Sequence, residues 1–218
     1  MAYKDAPYVA TWGILEWWKP ITIILMLPAF LLAVIGLTTP NPTSVGQEGR
    51  VGRSPEGIVR VTRHPFLIGV GLWAVVHLIA NGDVASFIFF GALAVTALAG
   101  TVSIDAKRRR ALGPGWQSFA AQTSIVPFAA IAAGRTRFKP GEIAAWQWIA
   151  AVIAYVLMLG GHTHIIGVSP FPTFRPASDE ITQDLSLSKI TFEDTRGPAR
   201  SPAEAAHNLA SRRSLSQD

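Results

Sequence analysis

Five histidines hold most of the chemistry open to this chain: His64, His77, His162, His164 and His207. His77 is the anomaly, because it stands inside an apolar run between Val75, Val76, Leu78 and Ile79. Ionisable residues at membrane depth are uncommon and usually serve a site. Trp73 lies one helical turn earlier on the same face, so an indole and an imidazole share one side of that segment. The alternative is a neutral histidine hydrogen-bonded to a neighbouring helix, and both readings stay open. His64 has a different setting: it follows Arg60 and Arg63 and precedes Pro65, a residue suited to a helix start. Arg60, Arg63 and His64 could hold an anionic group at that helix N-terminus. They could equally serve only to anchor the segment to headgroups.

Depth decides which histidines can meet. His64 and His77 are thirteen residues apart, about 20 Å along a helix, so one metal cannot take both. His77 lies four residues before Asn81, and His162 and His164 close a later apolar run. A single iron could therefore be shared by His77 with His162 or His164, as imidazoles on facing helices hold haem. His162 and His164 are roughly 200° apart around a helix, so at most one would be a ligand. The other reading of that pair is an interfacial polar cap. No Gly-rich phosphate loop, His-Glu-x-x-His or plausibly placed Ser/His/Asp set occurs.

The elements that must carry these residues are apolar. Half of the 218 residues are hydrophobic and only 15% are charged, with mean hydropathy +0.33, seven tryptophans and no cysteine. Soluble domains carry about 25% charged residues, so this is a membrane composition. Without cysteine there are no disulfides or thiolate ligands, and the redox compartment stays undecided. The net charge of +5 is localised. Residues 105–139 hold seven Lys/Arg against one acid, whereas residues 167–218 hold six against seven. That pattern is a topology signal and not a nucleic-acid surface, so no nucleic acid is expected as a partner.

The pattern predicts an all-α fold, a polytopic transmembrane helix bundle of about four spans with a disordered C-terminal tail. The spans fall near 20–37, 65–80, 84–104 and 143–161. The start lacks the form of a secretory signal, so the first span is expected to insert as an anchor. Trp17 and Trp18 mark its interfacial end, and Pro28 should kink it. Residues 38–56 read as a loop. The second run is short, about 24 Å against a hydrocarbon core near 30 Å. Asn81-Gly82-Asp83 is a tight connection in which Asp83 caps the third span. Residues 113–134 are too broken to cross and read as interfacial or re-entrant. From Pro170 on, Pro, Ser, Thr and mixed charge without a period predict the tail, where His207 is a solvated residue. The loops at 38–64 and 105–139 together carry eleven Lys/Arg against three acids, which predicts that both face the cytoplasm and both termini lie outside.

The segment RVTRHPFLIGVGLWAVVHLIANGD, with SIDAKRRRALG after it, resembles the NnrU family of membrane proteins, and the resemblance runs over residues 3–170. That family includes the zeta-carotene isomerases, whose version has Arg-His-Pro and then a Trp and a His four residues apart. The resemblance implies a transmembrane domain over 1–169 and a tail over 170–218, in a bacterial inner membrane. It further implies a b-type haem in the isomerase branch, with His77 as its ligand candidate and His162, His164, Trp73, Arg63 and His64 as further cofactor-site residues. A redox or cis-trans isomerase role on a hydrophobic substrate such as a carotenoid would follow. Nitrite and nitric oxide reduction is the other implied role, directly or as accessory to a denitrification reductase. The isomerase branch has a cysteine where Ala74 stands, and family members begin with further apolar helices bearing another histidine. A weaker resemblance, to isoprenylcysteine carboxyl methyltransferases, rests on Arg-His-Pro before a helix; Leu67 occupies the usual tyrosine position there, and only Asp105 precedes RRRALGPGW.

Overall fold

A computed structural model describes residues 6–172, and every element in them is helical or loop. The expected tail beyond Pro172, His207 included, lies outside the described residues. Helix α1 covers Lys19–Thr38 and continues through Pro28. Helix α2 covers Pro65–Asn81, with Pro65 in its first turn. Helix α3 runs Val84–Gln122 and breaks at Gly113 (φ 51, ψ −126), just ahead of Pro114. A single turn, α4, spans Ala129–Ala132, and α5 covers Ala145–Ile166. Helix α2 packs on α1 and α3, and α5 packs on α1.

Three helices, α1, α3 and α5, are long and apolar enough to cross a membrane, and the fourth apolar helix, α2, has 17 residues. At about 26 Å it falls short of a hydrocarbon core near 30 Å. The outer faces are apolar, with Ile24, Ile88, Val95 and Leu157 each largely exposed. This is the arrangement of a polytopic helical membrane protein, in which side chains facing lipid need no covering.

The α2–α3 connection turns on Gly82, whose φ of 57° is left-handed and whose Cβ position is occupied by the Gly13 carbonyl and Trp12 indole. Its carbonyl accepts N–H bonds from Thr11 (2.8 Å), Trp12 (3.2 Å) and Gly13 (3.0 Å). The Asp83 carboxylate caps α3 by accepting the Ser86 N–H at 3.0 Å, as the sequence predicts. The N-terminal segment thus straps the α2–α3 turn at one end of the bundle. The basic loops gather at the other.

The stretch 113–134, expected to be interfacial or re-entrant, begins as helix. Residues 114–122 continue α3 beyond the break, and Trp116 (1% exposed) and Phe119 (2%) join a core with Leu32, Ile35, Ile58, Val59, Val61 and Ile143. The sequence misleads here because small residues and Pro127 dilute the apolar period. The two large aromatics, three positions apart, still share one helical face.

Candidate functional site

The histidine end of the bundle encloses a cavity of about 430 Å³ between α1, α2, α3 and α5. Trp73, His77, Phe90, Phe30, Tyr155 and His162 line it, together with aliphatic residues of α1 and α5. That volume falls within the roughly 300–1,000 Å³ of small-molecule and cofactor sites. Lys19, at the rim, is the lining residue with a permanent charge, and it pairs with Glu16 at 2.8 Å.

Trp73 and His77 meet as the four-residue spacing requires, with ring centroids 4.9 Å apart. Phe90 of α3 closes on both, 5.3 Å from Trp73 and 5.2 Å from His77. From α5, His162 brings its ring to 6.4 Å from that of His77, with planes 29° apart. His164 lies two residues on and is exposed, so the structure brings His162 and not His164 to His77.

Hydrogen bonds set the chemistry of both rings. His77 Nδ1 is 2.8 Å from the Trp73 carbonyl, and His162 Nδ1 is 2.7 Å from the Val168 carbonyl. A carbonyl only accepts, so each Nδ1 carries a proton, and in the neutral ring each Nε2 keeps a free lone pair. Histidines that ligate metal are held in this way, with Nδ1–H committed to a backbone carbonyl or carboxylate.

No group of three or more His, Asp or Glu able to hold a metal occurs among the described residues. A bare zinc or copper site needs three or four protein ligands. Haem brings its own equatorial nitrogens and asks the protein only for axial ones. Two imidazoles alone fall short of that number, whereas a macrocycle-bound metal would need no more than these. Tyr155 adds the cavity's phenol, whose hydroxyl donates to the Ile23 carbonyl at 3.0 Å and faces Phe30 with its ring.

Arg63, His64 and Arg60 are not part of this site. His64 is buried at the opposite end of α2, its Nε2 2.7 Å from Asp105 Oδ1. Arg63 Nη1 lies 3.4 Å from Asp105 Oδ2, and burial lowers the Arg63 pKa against the pull of that carboxylate. Arg60 grips Glu142 with Nε (2.7 Å) and Nη2 (2.9 Å), so its guanidinium is already paired. Sequence reasoning missed Asp105 and Glu142 as partners. Asp105 did carry a signal, since a single acid among seven basic residues at the end of an apolar run needs a nearby cation.

Fold and cavity together define an all-α membrane protein with a histidine pair facing an apolar pocket. The sequence pattern of the NnrU protein family matches residues 1–170, and the chain belongs to that family. It is similar to the chloroplastic 15-cis-zeta-carotene isomerase of Arabidopsis thaliana, 33% identical over 79 residues, which is 36% of this chain and 22% of the isomerase. The Zea mays 15-cis-zeta-carotene isomerase is 31% identical over 106 residues, 49% of this chain and 29% of that protein. The chain thus spans less than a third of either curated relative. No solved structure matches it.

Proposed function

We propose that this protein binds haem b between His77 and His162 and acts as an isomerase on a conjugated, apolar substrate of the carotenoid kind. The observation that carries the reading is the hydrogen bonding of the two rings, each Nδ1 committed to a carbonyl and each Nε2 left free, on imidazoles 6.4 Å apart in one apolar pocket. The similarity to zeta-carotene isomerases supports the substrate class. When bound, the haem supplies an iron that can exchange electron density with a polyene and lower the barrier to double-bond rotation. Trp73, Phe30 and Phe90 offer flat apolar walls to such a chain. Tyr155 and the two imidazoles spend their protons on backbone carbonyls, so none of the three is poised to protonate a polyene.

The full chain, purified from membranes and assayed as the pyridine haemochrome, is expected to contain haem. His77→Ala and His162→Ala should each deplete it and change the spectrum, while His164→Ala leaves both unchanged. Reconstituted with zeta-carotene, the haem-loaded protein should convert one geometric isomer into another. Haem content indifferent to both His77→Ala and His162→Ala would overturn the site. Haem without conversion would overturn the isomerase assignment and favour an accessory role beside a nitrogen-oxide reductase.

A further inference from the structure

The four helices around the histidine cavity do not all meet. Among the described residues α2 packs on α1 and α3, and α5 packs on α1, but α3 and α5 do not pack on each other. The bundle is therefore an open arc in the order α3, α2, α1, α5. Both outer helices nevertheless send side chains into the cavity, and they flank one ring: Phe90 of α3 lies 5.2 Å from His77 and His162 of α5 lies 6.4 Å from it. Beside them, Phe89 of α3 and Met158 of α5 line the cavity and are also exposed, by 43% and 39%. With one such side chain on each of two helices that do not pack together, the pair marks a mouth between α3 and α5.

Depth decides what that mouth faces. Phe89 stands about 8 Å inside the Val84 start of α3, and Met158 about 12 Å before the Ile166 end of α5. The polar region on each side of a bilayer is only about 5–8 Å deep, so both lie at hydrocarbon depth. Their neighbours Ile88 and Leu157 are exposed apolar residues, as a lipid-facing surface requires. The cavity's other exit is at its rim, where Ile14 (55% exposed) lines it near the Lys19–Glu16 ion pair. The lining also states which molecule it suits. The Tyr155 hydroxyl and both Nδ1 protons are given to backbone carbonyls, so what meets a ligand is mostly aromatic and aliphatic surface. A molecule matched to such walls is dissolved in the bilayer, and leaving lipid to reach the rim through water would cost it the transfer free energy of its whole apolar surface.

We propose that the gap between α3 and α5 is a lateral entrance, through which a long, uncharged apolar molecule passes from the bilayer into the histidine cavity between Phe89 and Met158. These two side chains set the width that the molecule must fit. The inference rests on the apolar substrate of the proposed function and not on haem, so loss of either leaves the other to be judged separately.

The chain has no cysteine, so a single one placed in the cavity wall is the sole thiol target. Met26→Cys and Thr22→Cys, both on the α1 wall, are reconstituted as full chains in phosphatidylcholine vesicles and exposed to two reagents. One is N-(1-pyrenyl)maleimide, which partitions into the bilayer; the other is a charged, water-soluble methanethiosulfonate. The pyrenyl reagent should label the cavity thiol and the charged one should not. Adding Met158→Trp or Phe89→Trp, each at a lipid-exposed position that tolerates a larger ring, should slow pyrenyl labelling about tenfold, as when a packed ring must be displaced for the reagent to pass. Ile14→Trp at the rim should leave the rate unchanged. Slowing by Ile14→Trp in place of the mouth variants, or labelling by the charged reagent at a similar rate, would assign entry to the rim and overturn the proposal. No pyrenyl labelling at either cavity position would overturn it too, by showing the gap closed, by a second copy of the chain or otherwise. The readout needs neither haem nor turnover, so it is independent of the isomerase assay.

Discussion

His64 and His77 share one helix and are held in opposite ways. The ring of His64 gives its Nε2 to a carboxylate 41 residues away in sequence, while His77 gives its Nδ1 to a carbonyl four residues away and keeps Nε2 free. The second arrangement was legible from spacing, because residues four apart face each other on any helix. The first was not, since nothing local says which distant carboxylate a buried imidazole will meet. Glu142 is a similar case. Its carboxyl is pushed down from its ordinary value of 4.5 to about 2, first by the Arg60 guanidinium and then by the Gly57 N–H. A depressed folded-state pKa means that the Glu142 contribution to stability is fully present above about pH 4.5 and is lost as pH falls through about 2. Acid unfolding followed by tryptophan fluorescence should therefore show a loss over that window in the wild type. In Glu142→Gln the protein should start weaker and lose less across it; an identical acid profile would remove the pair from the account.

Helices were the most readable part of the fold, because long apolar runs with proline at their starts leave few other solutions in a membrane. How closely they approach was not readable. Gly69 sits where a Cβ would come 2.7 Å from the Ala29 carbonyl and the Ala33 nitrogen of α1. Helix α2 therefore lies directly on the α1 backbone there, as small residues allow helices to do in lipid. Gly69→Leu should force the pair apart, at about 1–3 kcal/mol for overpacking. Because Met26 and Thr22 of α1 wall the histidine cavity, haem content should fall with it. Gly160→Ala is the control, since that glycine on α5 has open space where its Cβ would go. It should leave thermal stability unchanged or slightly raised. Equal melting temperatures for both variants would show that the α1–α2 approach is not tight. The interruption that Pro114 suggests is there, at Gly113, but the burial of Trp116 just beyond it was not legible.

Across the whole molecule the chain runs up and down, so residues 39–64 and 105–144 share one end, and the N-terminal strap, the α2–α3 turn and His162 share the other. The basic excess of the first end predicts that it faces the cytoplasm. Single cysteines at Ser54 and Ser118 should resist an impermeant thiol reagent in intact cells, and one at Ser169 should react. The reverse pattern would invert the topology. Helix α3 draws out a last consequence. The break at Gly113 ends its straight run after residues 84–112, about 44 Å, and the part beyond the break packs Trp116 and Phe119 against Leu32 and Ile35 of α1. The Trp116 cluster thus ties Ile58, Val59 and Ile143 of the basic loops to α1, while Met26, Ala29 and Val76 form a separate cluster nearer His77. Hydrophobic burial against water weakens on cooling, so a chilled sample should loosen first at the basic end, where that cluster meets the loops.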